Sequence, residues 1–236
     1  MKKIILTVVL CVLTLNTALA QFDTAMFVSD VFLLDNYIKR QNNGINFKDT
    51  KTYRGTPYNN PNFLPGNIYK EGTLLADNIA IRYNAVADEM EVKQFFNSDD
   101  ENARVLTKSQ DIYVKIVDDI YVFVPYQGGV ENGGYFQVIF EGSKTALYKK
   151  HIKDFKPEKK ATSSITKTLP PVFKDKPVFY LVTKSGKFYQ MPKSRSKKLK
   201  VFGEKQNQMK AFTKQNNLDL NKQEDLLTAV KYYDSL

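Results

Sequence analysis

Ile79-Ala80-Ile81-Arg82-Tyr83-Asn84 and Glu89-Met90-Glu91-Val92-Lys93, joined by Ala85-Val86-Ala87-Asp88, set the reading of this chain. Both segments alternate between core-type and solvent-type residues, the period-2 signature of half-buried strands, and the short connection makes them a hairpin. Pairing Asn84 with Glu89 places Tyr83 opposite Met90 and Ile81 opposite Val92 on the buried side. The same register sets Arg82 against Glu91 on the other side as a cross-strand ion pair. A slip of one residue would break both matches at once.

The pattern continues outward. From about Ile68 to Ile152 the chain reads as short strands with turns between them, beginning at the Glu71-Gly72 turn. Ile112, Val114 and Ile116 alternate, Asp118-Asp119 turns, and Tyr121 and Phe123 return on the same face. Tyr135 to Phe140 and Lys144 to Tyr148 flank Gly142-Ser143, a pair suited to a type II′ turn with positive φ at the glycine. Gln127 to Gly134 between these hairpins is glycine-rich and expected to be flexible. Upstream, Phe27, Val31, Leu34 and Ile38 favour a helix over 26–38, against a buried strand at Val31 to Leu34. Tyr53 to Gly66, with Pro57, Pro61 and Pro65, reads as an ordered loop whose Tyr53, Tyr58 and Phe63 cover the core edge. Downstream, Pro157, Pro170, Pro171 and Pro177 with lysines and a Ser/Thr cluster give residues 155–177 linker composition. Val178 to Val182 and Phe188 to Met191 form a hairpin around Lys184 to Lys187. Met209 with Phe212, and Leu226, Val230 and Tyr233, make helical stripes, with Asn221 and Glu224 as a capping box for the last helix.

The expected fold is therefore mainly β, an antiparallel meander that is barrel- or sandwich-like, with a smaller α-helical C-terminal part (α+β overall). Its organisation is a signal peptide over 1–20, a β-rich domain over 21–154, a linker over 155–177 and a hairpin plus helical region over 178–236. Sixteen Phe and 14 Tyr without Trp agree with a β-rich core.

The first twenty residues read as an export signal. Lys2 and Lys3 precede an apolar run from Ile4 to Leu15, and Ala18-Leu19-Ala20 offers a cleavage site that leaves Gln21 at the mature N-terminus. That run of about a dozen residues is short of the roughly 20 that span a bilayer. Cys11 lies mid-run, away from a lipidation position, and cleavage removes it as the chain's only cysteine. Disulfide and thiol chemistry are thereby excluded from the mature protein. The expected setting is periplasmic or peripheral to the outer membrane.

At Gly55-Thr-Pro-Tyr58, Phe63-Leu-Pro-Gly66, Gly72-Thr73 and Arg82 to Val92, the chain resembles exported proteins of uncharacterised function from Bacteroidetes such as flavobacteria. The segments Phe212 to Leu227 and Tyr232-Tyr233 are similar to that group as well. The resemblance covers most of the mature chain in spaced patches. It implies an envelope setting and brings no catalytic residue with it.

Charge is unevenly placed. Residues 21–140 hold 11 Lys/Arg and 16 Asp/Glu, a net of −5, whereas 141–210 hold 19 and 5, a net of +14. A basic block on an exported protein points to an envelope protein with an acidic face or an anionic membrane surface, and away from nucleic acid. Lys149, Lys150, Lys153 and Lys156, extended by Lys159 and Lys160, form one candidate binding cluster. Lys193, Arg195, Lys197, Lys198 and Lys200 form the other. Asp88, Glu89 and Glu91 invite a carboxylate-hydrolase reading, but Arg82 neutralises Glu91 and Asp88 suits a turn. Arg82, Tyr83, Asn84, Asp88, Glu89 and Glu91 are accordingly read as a structural motif. His151, the only histidine, reads as a surface residue whose protonation the neighbouring lysines depress, and it has no His or Cys companion for a metal site. Gly142-Ser143-Lys144-Thr145 lacks the spacing and the following helix of a phosphate-binding loop. The expectation is a non-enzymatic binding or accessory protein without metal or cofactor, with a β-barrel carrier of an apolar ligand as the alternative. The sequence leaves the oligomeric state open.

Overall fold

The computed structural model describes residues 38–39, 53–125, 133–163 and 165–236. The expected signal over 1–20, residues 26–37 of the expected helix and residues 127–132 of the expected flexible loop lie outside these.

The strands are β1 (Ile38–Lys39), β2 (Leu64–Lys70), β3 (Thr73–Asn84), β4 (Glu89–Lys93), β5 (Arg104–Leu106), β6 (Ile112–Ile116), β7 (Asp119–Val124), β8 (Gly134–Glu141), β9 (Thr145–Lys150), β10 (Lys153–Lys156), β11 (Val172–Asp175), β12 (Val178–Thr183) and β13 (Phe188–Gln190). Eleven of them form one antiparallel sheet in the order β1-β5-β4-β3-β2-β6-β7-β8-β9-β12-β13, and β10 pairs with β11. Helices α1 (Arg195–Lys200), α2 (Gln206–Gln215) and α3 (Gln223–Ser235) follow. The molecule is mainly antiparallel β with a smaller helical C-terminal part.

The β3–β4 hairpin has the expected register at every pair: Asn84 with Glu89, Tyr83 with Met90, Arg82 with Glu91 and Ile81 with Val92. Tyr83, Met90, Ile81 and Val92 are all buried. Beyond β2, Val114 lies opposite Tyr121, and Ile112, Val114 and Ile116 face the core as their alternation requires. Glu71 and Gly72 both take positive φ, 49° and 82°, which is the backbone of a type I′ hairpin turn between β2 and β3.

The sheet curls. Four strand spacings separate β3 from β8, which in a flat sheet is about 19 Å. Yet the Tyr83 and Tyr135 ring centroids are 6.1 Å apart, and those of Tyr83 and Tyr121 are 5.5 Å apart. The concave side closes over a core of Ile68, Ile79, Ile81, Tyr83, Met90, Ile112, Val114, Tyr121 and Tyr135. On β9 and β12, Leu147 and Leu181 pack under the helices with Phe202, Met209, Leu226 and Val230.

Several local expectations are corrected. Leu64 to Gly66 belong to β2 and not to a loop, because Leu64 and Gly66 pair with Ile81 and Ile79. Within 155–177, expected as a linker, Phe155 and Lys156 of β10 pair with Phe173 and Val172 of β11. The sheet also continues past residue 154, since β12 pairs with β9 over Val178 to Thr183. The capping box is absent: Lys222 caps α3 without a side-chain bond, and Asn221 bonds Asp219 instead.

Gly142 does not take the positive φ of a type II′ turn. The turn is held from outside. Asp234 on α3 accepts from the N–H groups of Ser143 at 2.9 Å, Lys144 at 2.7 Å and Thr145 at 2.7 Å. The hydroxyls of Ser143 and Thr145 donate to it as well. Burial alone would raise this carboxyl, but the backbone donors outweigh it and hold Asp234 well below the usual carboxylate range. A Cβ at residue 142 would collide with the Asp234 carboxylate, so glycine is required there for close approach.

Candidate functional site

The Arg82–Glu91 pair faces into the protein. Arg82 Nε and Nη2 donate to Glu91 Oε2 at 3.0 and 2.7 Å, and Asn84 Nδ2 donates to Oε1 at 3.1 Å. Glu91 is 0 % exposed and Arg82 6 %, so the pair is buried beneath other residues of the chain. The covering residues are Tyr58 and Phe63, whose ring centroids lie 3.7 and 4.1 Å from the guanidinium carbon. Arg82 Nη1 donates to the Pro61 carbonyl at 3.2 Å and to Asp100 at 2.8 Å. Buried charges persist only when paired and hydrogen-bonded, and here the partners include the 57–63 loop itself. Asn59 N–H to the Tyr83 carbonyl and Ala85 N–H to the Pro57 carbonyl pin the same loop to the hairpin. Arg82 is thus a positioning residue for Asn59, Asn60 and Asn62.

The rest of the motif closes its own turn. Asn84 Oδ1 accepts from the N–H groups of Val86 and Ala87. Asp88, at φ 56°, accepts from the Tyr83 hydroxyl at 2.7 Å and from Tyr135 N–H at 3.0 Å. Its second oxygen lies 3.5 Å from Lys108 Nζ and 4.0 Å from Lys150 Nζ. Glu89 is half-buried, and burial raises its carboxyl above the ordinary value. Neither Asp88 nor Glu91 is a free carboxylate, so two of the three carboxylates that suggested hydrolysis are engaged in the fold.

His151 is not a surface residue. It is buried between Tyr83 and Tyr121, with ring centroids 6.0 and 6.1 Å away. Gln137 Nε2 donates to Asp119 at 2.7 Å, so its Oε1 accepts from His151 Nε2 at 2.7 Å and fixes that tautomer. Burial first, then Lys149 and Lys153, push the imidazole down to about 4. The lysine effect read from sequence is present but second to burial. Tyr83, Tyr121 and Tyr135 are likewise raised by burial.

Two open clefts flank this interior. One, of about 350 Å³, lies along Val122, Tyr148, Val182 and Phe188 with Glu141 and Lys184 at its rim. The other, of about 230 Å³, lies between the Asn59–Asn62 loop and the Val117–Asp119 turn, with Leu64 and Tyr121 in its wall. Sequence reading missed this second site; three asparagines within four positions of a proline-braced loop were the available signal.

The basic residues divide. Lys149 Nζ donates to Gln223 at 3.0 Å, and Lys150 Nζ to the Gly133 carbonyl at 2.5 Å. Burial lowers both lysines. Lys153 pairs with Asp175 at 2.6 Å and Lys156 with Asp154 at 3.1 Å, where Lys176 also binds. Lys198 is buried, donating to the Leu220 carbonyl at 2.7 Å and to Asn221 at 2.8 Å. Lys149, Lys150, Lys153 and Lys198 fasten elements of the fold together, whereas Lys156 is exposed and pairs along its own strand. Lys193, Arg195, Lys197 and Lys200 are exposed and form no ion pair among the described residues, and Lys159 and Lys160 are exposed as well.

Among the described residues no helix is long and apolar enough to cross a membrane, and no group of three His, Cys, Asp or Glu could hold a metal ion. No family model, curated protein or solved structure matches the chain.

Proposed function

We propose that this protein is an exported, non-enzymatic binding or accessory module of the cell envelope, docking through a basic surface on an anionic partner. The observation that carries the reading is the split among the predicted cations. Lys193, Arg195, Lys197 and Lys200 stay exposed on and beside α1, while Lys149, Lys150, Lys153 and Lys198 serve the fold and Lys156 is exposed but paired with Asp154. Cations that serve no internal contact in a segment of net +14 are available to steer and hold an anionic surface. The envelope setting rests on the signal-like N-terminus and the resemblance described above.

The test is a co-sedimentation and pull-down pair. Mature protein is mixed with anionic or neutral vesicles and, separately, with detergent-solubilised envelope, across a salt series. Retention on an anionic partner that falls as salt is raised above about 0.1 M, where the Debye length is near 10 Å, supports the reading. Reversing Lys193, Arg195, Lys197 and Lys200 to Glu should abolish retention while shifting stability by under about 0.5 kcal/mol per site, since all four are exposed. Salt-independent retention, or the same retention after reversal, overturns it.

A further inference from the structure

The cleft between the Asn59–Asn62 loop and the β6–β7 turn carries a second assignment, independent of the basic surface. Its polar groups are partly committed and partly open. Asn59 Nδ2 donates to the Tyr121 hydroxyl at 3.0 Å, Asn60 Oδ1 accepts from Asn62 N–H at 2.9 Å, and Asp119 Oδ1 takes the Gln137 bond. These bonds orient the three side chains. The side-chain carboxamide of Asn62, the Asn60 amino group and the Asp118 carboxylate make no hydrogen bond among the described residues. Leu64 and Val117 add apolar wall.

The turn opposite is strained. Val117 sits at φ 55°, a left-handed conformation that is a true outlier for a β-branched residue. Its N–H is held by the Pro65 carbonyl at 2.9 Å, and its side chain is 52 % exposed. Neither core burial nor side-chain preference accounts for valine there. Val117 and Asp118 join the paired Ile116 and Asp119, and Asp118 and Asp119 line the cleft together with the asparagines.

The ligand class follows from the charges. Arg82 reaches the cleft wall, but Glu91 and Asp100 neutralise it, so no free cation is present to take an anion. Amides that both donate and accept, carboxylates that accept, and apolar patches between them match vicinal hydroxyls on a ring with C–H faces. About 230 Å³ is below the roughly 300–1,000 Å³ of drug-sized sites and suits one sugar unit. We infer that this cleft binds a neutral, hexose-sized saccharide unit, with Asn62, Asn60 and Asp118 reading its hydroxyls.

Saturation-transfer NMR on the full mature chain tests this with methyl glycosides of glucose, galactose, mannose and N-acetylglucosamine, alongside an array of neutral oligosaccharides. At least one glycoside should bind, and Asn62→Ala and Asp118→Ala should each weaken it about 10-fold, the loss of one such hydrogen bond. Both residues border solvent, and an unchanged thermal melt confirms that each variant is folded. The fourfold charge reversal at α1 should leave the sugar signal intact, which separates this site from the docking surface. Array binding identifies a glycan terminus, and methyl-glycoside binding without it a free sugar. Absence of transfer from every glycoside and array member overturns the assignment. So does binding that both variants retain, or a calcium titration that saturates at Asp118 while no glycoside competes.

Discussion

Two hairpins of the same sheet are closed in opposite ways. The β3–β4 turn is built from its own residues: Asn84 caps it, Asp88 ties Tyr83 five positions back, and Arg82 pairs with Glu91 nine positions on. The β8–β9 turn is closed by Asp234, about ninety positions away, which fills the backbone donors of Ser143, Lys144 and Thr145. In the first, sequence neighbours are spatial neighbours, so pattern and structure coincide. In the second, the deciding residue lies on a helix that only the finished fold brings near.

The sharpest way to break that contrast is Arg82→Ala. Removing one member of a buried pair deprives the fully buried Glu91 of the Arg82 guanidinium, and should cost about 3–5 kcal/mol in urea unfolding. The same variant should release the 57–63 loop, seen as faster hydrogen exchange at Asn59 N–H, whose bond to Tyr83 depends on that placement.

Asp234→Ala should cost about 2–3 kcal/mol, the value of hydrogen bonds to a charged group. Gly142→Ala should cost a similar amount by displacing the same carboxylate. Because both remove one interaction, the double variant should lose much less than the sum. Full additivity would mean that the carboxylate does not organise the turn.

The third effect is a pH dependence. The folded His151 value is about 4 against 6.5 unfolded, so between these the unfolded chain binds more protons and stability rises with pH. The contribution is complete above 6.5 and lost as pH falls toward 4, reaching a loss of about 2 kcal/mol at pH 5. Subtracting the profile of His151→Gln, measured by chemical denaturation, should isolate that slope. A wild-type profile parallel to the variant's would place His151 in solvent.

The same physics explains what the sequence could show. Alternation over 79–93 specified register because one face is apolar and one polar, and a slip would exchange them. It did not show that the polar face is covered, since that cover is the Tyr58 and Phe63 pair on a loop. His151, flanked by four charges at positions 149, 150, 153 and 154, looked solvated, yet its ring points under Tyr83 and Tyr121. His151 lies between β9 and β10, and its burial is set by rings from β3 and β7, so the charge of its sequence neighbours is a poor guide there. The lysines of 149–156 misled for a related reason: acceptors such as the Gly133 carbonyl, Gln223 and Asp175 are distant or backbone groups. The cleft at Asn62 and Asp118 was missed, with only its asparagines in view, because its two sides are more than fifty residues apart.

The tyrosine cluster also makes this protein its own optical probe. The chain has 14 tyrosines and no tryptophan, so its near-ultraviolet spectrum comes largely from phenols. Exposed phenols become tyrosinate near pH 10, while Tyr83, Tyr121 and Tyr135 are held neutral by burial beyond that point. Alkaline absorbance therefore divides into an early wave from the surface and a late wave that arrives only when the curled sheet opens.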